Sequence, residues 1–376
     1  MSFSLAPANT PRFTLPDNEL LVEGARANAF VNPRLPWDAL GLRVAITRGT
    51  GATAPIGGAT TDRIVETTAL SDHYIEGLVT SPANQLATYS VFVRPAGRTV
   101  VWFTAFDAVS YANCILAMAT LTGAGSVTAV GAGTGVAAGA TIAAVGGGWY
   151  RVTVTGTASA APNNVRLRLQ LIAGATTYAG DGVMGVDVWG LQAEAGAFAS
   201  SPILPAPGTI AASSRGDELV SALLSDVQVP SSGACTLLLA GRLGQAAAAG
   251  VTQMLAQIDD GTDANRVLVY CAPGTASLRM RAVLAGVAGP EVTLGTVVPG
   301  EIWRLVASLD GGGRLAASLN GAAPLAVTGG PIAGLVAALV GTSRAGEALF
   351  GTLRHVQVIP APTQDAALPA LAATMP

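Results

Sequence analysis

Lysine is missing altogether: all 20 basic residues of the 376 are arginine. Histidine occurs twice, cysteine three times, aromatic residues make up 5% and charged residues only 11%. Each scarcity excludes something. Nucleic-acid binding needs clustered cations that displace counterions from phosphate. Here the arginines stand singly along a chain of net charge −3, so no nucleic-acid partner is expected. Replacement of Lys by Arg amid so much Ala and Gly reads as genomic GC bias. Cys114, Cys235 and Cys271 have no metal-ligand spacing and an odd count, which argues for reduced, buried thiols and against a disulfide framework. His73 and His355 fall in different parts of the chain, and no Ser or Cys sits in a nucleophile elbow. The longest apolar runs, near 234–240 and 331–341, are short of the roughly 20 residues a bilayer requires. Met1–Pro7 lacks the basic and apolar regions of a secretory signal. The expectation is a soluble protein with no membrane insertion, made in a reducing cytoplasm.

What the chain has in plenty is Ala, Val and Leu within a 50% hydrophobic total, cut by 46 Gly and 22 Pro. Small branched side chains between frequent turns suit antiparallel sandwiches better than helix bundles. The predicted fold class is all-β: two antiparallel β-sandwiches in tandem behind an extended N-terminal arm. Residues 1–36 form that arm, because Pro7, Pro11, Pro16, Pro33 and Pro36 forbid a helix or a central strand. It is either a loose terminus or a segment docked on a neighbouring subunit or a larger assembly, with Leu20, Leu21 and Val22 its one apolar cluster.

Residues 37–208 read as the first sandwich. Val165 to Leu171 alternates strictly, aliphatic at odd positions and Arg166, Arg168 and Gln170 at even ones, so one face meets a core. Tyr89 to Val93, Val100 to Phe106, Trp149 to Val154 and Val183 to Leu191 are further strands, and 122–148 is a Gly/Ala-rich strand pair. The Pro/Ser-rich stretch Ser200 to Gly208 marks a boundary. Residues 209–362 form the second sandwich, with strands at Cys235 to Ala240, Arg266 to Cys271, Leu278 to Leu284, Trp303 to Leu309, Leu315 to Leu319 and Leu353 to Ile359. Asn320-Gly321 signals a hairpin, since both central residues of its turn need positive φ. Residues 363–376 are an Ala-rich tail of one or two helical turns.

Several segments resemble known families. Leu20-Leu21-Val22-Glu23-Gly24-Ala25-Arg26-Ala27-Asn28 is similar to a stretch near the start of many phage virion fibre and structural proteins. Trp189 to Ser201 (WGLQAEAGAFASS) resembles the signature that closes a jelly-roll module similar to carbohydrate-binding modules in those proteins, although Pro202-Ile203-Leu204-Pro205 departs from its usual ending. Ala54 to Arg63 and Trp149-Tyr150-Arg151-Val152 are similar to further parts of that module. Asp260 to Val267, Trp303 to Ala307 and Leu319-Asn320-Gly321 resemble the concanavalin A/laminin-G-like sandwich. The resemblance implies a virion surface protein (tail fibre, head fibre or spike) made in the bacterial cytoplasm and released with the particle. The composition also fits the head spikes of gene transfer agents. Implied partners are host capsular polysaccharide or lipopolysaccharide and other virion proteins, in a homo-oligomer or a hetero-oligomeric spike. Leu20, Leu21, Val22 and Arg26 would anchor it.

Glycan binding requires flat aromatic faces and planar polar groups. In the first sandwich Trp102, Phe106 and Tyr111 lie near the row Arg166, Arg168 and Gln170; the alternative is a solvated Arg row with Trp102 in the core. Asp187 and Trp189 share strand parity, placing a carboxylate beside an indole, either as a site or as a satisfied internal hydrogen bond. In the second sandwich Arg279 and Arg281 point the same way, toward an anionic sugar or simply into solvent. Trp303 is expected in the core. Asp259, Asp260, Asp263 and Asn265 supply hard oxygens around Gly261 that would suit Ca²⁺, although the same residues make an ordinary hairpin turn. No other cofactor is expected. The reading is a non-catalytic virion adhesin that attaches a phage-like particle to host polysaccharide. Its rivals are a polysaccharide depolymerase, which would need two carboxylates roughly 5–10 Å apart, and a purely structural fibre or decoration protein.

Overall fold

The computed structural model describes residues 12–13, 19–57, 61–206, 209–215, 220–247, 249–332 and 334–376. Every named strand pairing is antiparallel, and the chain divides into two compact units. One is formed by Arg26–Arg215; the other joins the described residues up to Ala25 to those from Val220 onward. Among the described residues no helix is long and apolar enough to cross a membrane.

In the first unit one sheet runs, edge to edge, Ser126–Ala132, Cys114–Thr120, Val100–Asp107, Asn164–Leu171, Leu70–Pro82 and Thr177–Ala179, with Leu42–Val44 also pairing to Leu70–Pro82. The facing sheet runs Val136–Gly146, Trp149–Thr157, Ala87–Ala96, Gly185–Ala195, Asp62–Glu66 and Ile46–Thr50. Between them lie Val101, Phe103, Ala105, Val165, Leu167, Leu169, Ile75, Val91 and Val152. The period-2 alternation of Asn164–Leu171 is the cause: its odd side chains enter this core, each aliphatic one contributing about 1.5–3 kcal/mol when fully buried. Its even side chains must then stand on the outer face.

The second unit stacks a sheet of Arg12–Phe13, Leu20–Val22, Gly351–Ile359, Cys235–Leu243, Ile302–Leu309, Arg314–Leu319 and Leu325–Thr328 on one of Val220–Leu223, Ala337–Val340, Gln253–Asp259, Arg266–Cys271, Ser277–Leu284 and Val287–Thr296. Trp303 is wholly enclosed in its core, with Leu237, Leu239, Met280 and Leu305. The hairpin at Asn320-Gly321 forms, both residues having positive φ (52° and 78°). The tail folds into the helix Leu368–Thr374, whose Leu368 and Ala372 pack with Leu238, Val306 and Ala316.

The N-terminal segment is extended, but its described part lies along this chain's own sheets. Leu20–Val22 pairs with Gly351–Leu353, and Val22 is wholly buried in the second unit's core. Gly341, at φ +73°, leaves the space that Val22 fills: a Cβ there would come within 2.8 Å of it. Arg26–Asn28 pairs with Ser213–Arg215, so the first unit runs past the Pro-rich stretch at 200–208. Residues 1–11, 14–18, 207–208 and 216–219, on which the arm, linker and boundary expectations also bear, lie outside the described residues.

Candidate functional site

The outer face of the first unit's larger sheet is ordered by strand register. Trp102, Gln170 and Tyr74 stand opposite one another in one row; Thr104, Arg168 and Glu76 form the next; Phe106, Arg166 and Leu78 the third. Met118, Leu116 and Cys114 continue these rows on the neighbouring strand. Tyr111 reaches the same face from the loop after Val100–Asp107, its ring 5.4 Å from that of Phe106. Five of the six residues singled out here by sequence (Trp102, Phe106, Tyr111, Arg166 and Arg168) thus share one solvent-facing patch, and Trp102 is half-buried there rather than in the core. The sixth, Gln170, is nearly closed to solvent and donates Nε2 to Thr176 O at 3.3 Å. It supports the patch from below.

Glu76 is the hub of this face, and alternation alone did not reveal it. It is wholly buried, a costly place for a carboxylate unless donors surround it. Arg168 supplies Nε at 2.7 Å and Nη2 at 2.6 Å to one oxygen. Tyr111 donates its hydroxyl at 2.7 Å to the other, with Arg166 Nη1 3.5 Å away. The Arg168 guanidinium also lies 3.9 Å over the Tyr74 ring and 4.9 Å from that of Phe106. Burial, and then the hydrogen bond to Glu76 and its charge, raise the Tyr111 phenol above its ordinary pKa, so it remains a donor. With both oxygens engaged and no solvent contact, Glu76 is unsuited to proton transfer. The face instead offers aromatic edges and a partly exposed guanidinium, Arg166 (31% exposed).

The second unit carries a smaller version. Arg279 and Arg281, on Ser277–Leu284, lie 2.5 Å and 3.7 Å from Glu291. Tyr270 donates its hydroxyl to Glu291, and the Arg281 guanidinium sits 5.2 Å over the Tyr270 ring. Burial and then the bond to Glu291 push the Tyr270 phenol up to about 12. Burial opposes ionisation of Glu291, but the Tyr270 and Arg279 hydrogen bonds and the charges of Arg279 and Arg281 outweigh it and hold this carboxyl below its usual range.

Other sequence candidates are spent inside the fold. Asp187 is wholly buried, taking Arg63 Nε at 2.7 Å and Nη2 at 3.0 Å, with Arg94 at 3.8 Å. Trp189 is likewise closed off, edge-on to Phe92 and packed with Ala52, Ala54, Ile56 and Leu204. Neither can meet a glycan on this surface; the acid is the satisfied internal group. The calcium expectation also fails on its donors. Asp259 accepts from Arg344, Gln257 and the Gly261 N–H; Asp260 from Thr262 and Asn265; Asp263 from Arg266 at 2.6 Å. Guanidiniums already neutralise two of these acids, Arg344 on Asp259 and Arg266 on Asp263, and among the described residues no group of three His, Cys, Asp or Glu could hold a metal.

The anchoring residues have internal roles too. Leu20, Leu21 and Val22 belong to a sheet, while Arg26 donates to Ala195 O and lies 4.0 Å over the Phe198 ring. The two segments that resemble virion proteins fasten to each other. Asn28, fully buried, donates Nδ2 to Leu191 O (3.2 Å) and Ile203 O (3.3 Å) and accepts at Oδ1 from the N–H groups of Phe30 and Ala193, both at 3.0 Å. Glu194 takes Ser200 Oγ at 2.6 Å and Gln192 Nε2 at 2.7 Å. Arg26 and Asn28, at the end of the first motif, thus form a latch with the second one inside the first unit.

No family model and no curated relative matches the chain. Among solved structures it is similar to the CBM40 module of the Ruminococcus gnavus IT-sialidase bound to α2,6-sialyllactose, at 15% identity and TM-score 0.32, over 39% of this chain and 86% of that one. It is also similar to the native heptameric SAP-like pentraxin of Limulus polyphemus, at 14% identity and TM-score 0.30, over 37% of this chain and 69% of that one. Mouse laminin α1 domains LG4-5 align at 10% identity and TM-score 0.28, over 97% and 96% of the two chains. Strand pairing within the chain itself establishes the architecture: an all-β protein of two antiparallel sandwiches.

Proposed function

We propose that the first unit binds a glycan without catalysis, on the outer sheet face carrying Trp102, Phe106, Tyr111, Arg166 and Arg168. The observation that carries this reading is the register. Three neighbouring strands and a loop bring four aromatic rings (with Tyr74) and two arginines to one surface, which provides stacking area for sugar C–H faces and N–H donors for hydroxyls. The acid that might have served chemistry is locked by three donors. A glycan array and binding to whole bacterial cells test the proposal: attachment of the native chain, weakened on the order of tenfold by Trp102→Ala with the fold intact, supports it. Absence of attachment, or release of shorter fragments from the polysaccharide, overturns it.

At the level of the particle, the protein is a surface fibre or spike component that attaches a phage-like assembly to host capsule or lipopolysaccharide. Support comes from the resemblance of segments 20–28 and 189–201 to virion proteins. Weak single sites would then act through many copies on one particle. Particles lacking this chain should assemble yet adsorb poorly; normal adsorption would reject the role.

A further inference from the structure

The two sandwiches carry the same four-part arrangement on outer sheet faces. In each, two arginines alternate on one strand, Arg166-Leu167-Arg168 and Arg279-Met280-Arg281. Each pair grips one glutamate on the adjacent strand, Glu76 or Glu291. Each glutamate takes a tyrosine hydroxyl, from Tyr111 or Tyr270. Each has a guanidinium over a tyrosine ring, Arg168 over Tyr74 and Arg281 over Tyr270.

One arginine suffices to neutralise one carboxylate, whether wholly buried as Glu76 is or partly exposed as Glu291 is. A second adds a like charge at close range, which is unfavourable unless another anion offsets it. Both clusters therefore hold one uncompensated positive charge. The count alone does not select them, because Asp187 and Glu19 are also held by two arginines each. The rings do: among the described residues none lies under Arg63, Arg94, Arg242 or Arg354. The extra guanidiniums in the two aromatic clusters remain open, Arg166 at 31% exposure and Arg281 at 34%. The Nε groups of Arg166, Arg279 and Arg281 are themselves buried and meet no acceptor among the described residues, so a ligand would be met by the exposed terminal nitrogens.

We infer that both faces take a carboxylated sugar, so that the second unit carries a second site, on Arg279 and Arg281, for the same class of acidic glycan. The inference rests on the glycan-binding reading of the first face. A carboxylate would pair with the uncompensated guanidinium while Glu76 or Glu291 holds its partner in place.

Equilibrium dialysis of the full chain against short galacturonate, glucuronate and mannuronate oligomers, and against their carboxyl-reduced counterparts, tests it. At least one acidic oligomer should bind at two per chain, tenfold or more tighter than its reduced form. Arg281→Gln should lower the count to one, Arg281→Lys should keep two, and Arg166→Gln should remove the other site. Near-UV circular dichroism of each variant should match the parent. Equal binding of acidic and reduced oligomers would overturn the acidic class while leaving the glycan reading standing. A count of one that Arg281→Gln does not change would overturn the second site. Binding of neither form, with a silent glycan array, would remove both.

Discussion

The guanidinium of Arg168 lies over Tyr74, its Cζ 3.9 Å from the ring centre, while its Nε and Nη2 clamp the buried carboxylate of Glu76. The side chain thus covers an aromatic ring and neutralises an acid at once. Replacing it with Met keeps most of the stem but strips Glu76 of its main partner, leaving Arg166 at 3.5 Å as the nearest cation. Breaking a buried pair from one side costs about 3–5 kcal/mol, and the remaining arginine moderates this to about 2–3 kcal/mol. Urea unfolding of Arg168→Met should show that loss. The double variant Arg168→Met/Glu76→Gln should recover at least half of it, because no buried charge is then left unpaired. Full loss in the double variant would mean that ring stacking, not charge, dominates.

Two tryptophans separate binding from folding. Trp303 is wholly enclosed in the second core, so Trp303→Ala should cost about 3–5 kcal/mol through the cavity it leaves. Trp102 is half-buried on an outer face. Trp102→Ala should change stability by less than about 1.5 kcal/mol yet weaken glycan binding on the order of tenfold. Thermal unfolding and a cell-binding titration on both variants give the comparison. A Trp102→Ala protein as unstable as Trp303→Ala would place that indole in the structural frame.

What could be read beforehand depended on how openly each strand declared its faces. Asn164–Leu171 alternates without exception, so its inward leucines and outward arginines were legible, as were the strands around Trp149 and Trp303. Leu70–Pro82 was not, because its inner face includes buried His73 and a glycine at 77, and Glu76 is buried on the outer one. A Cβ at Gly77 would press within 2.8 Å of Leu40, which breaks the aliphatic pattern for a packing reason. Gln253–Asp259 hid for a related cause: all seven residues are buried, Gln253 and Gln257 among them. Glu76 and Glu291 were illegible as hubs because their pairing depends on arginines from other strands. Asp187 and Trp189 misled for the opposite reason, since correct parity said nothing about the 52–56 segment that covers their face.

The Tyr270–Glu291 pair gives stability a pH signature with two limbs. The Glu291 carboxyl is held below its ordinary value. Its contribution is therefore present above the unfolded-state value of about 4.3 and is lost as pH falls through the folded one. The Tyr270 phenol is pushed up to about 12, so its contribution is present below about 10 and lost as pH rises from there through the folded value. The difference in urea midpoint between the parent and Tyr270→Phe should be flat from about pH 5 to 10 and shrink outside that window. A difference that keeps its size at high pH would show that the hydroxyl does not serve as the donor.

The three cysteines should be inert while the protein is folded. Cys235 and Cys271 are wholly buried and Cys114 nearly so, and burial pushes the Cys235 thiol up to about 12. Thiolate is the reactive form, so both access and ionisation oppose modification. Labelling with a disulfide-exchange reagent should yield no fast-reacting thiol at neutral pH and three in denaturant. A fast thiol in the folded protein would point to local opening, and Cys114, the only one of the three with measurable exposure, would be its first candidate.

Asn28 provides the most direct test of the latch. Its amide satisfies two carbonyls and two N–H groups drawn from 28–30, 191–193 and 203, all in a site closed to water. An Asn28→Ala chain removes the side-chain partner of Leu191 O and of the Phe30 and Ala193 N–H groups, each at a cost of about 1 kcal/mol after relaxation, while Ile203 O keeps Ser213 Oγ at 3.2 Å. A loss of about 2–4 kcal/mol is therefore expected. Asn28→Asp keeps the acceptor for Phe30 and Ala193 but places a carboxylate against the Leu191 and Ile203 carbonyls. It should be at least as damaging at neutral pH and should recover part of its stability in acid, where the group protonates and can donate once more. Because the affected bonds lie in the first unit alone, calorimetry should move one unfolding transition and leave the Trp303-centred one in place. A shift of both transitions together would show that the Asn28 bonds bear on more than the first unit.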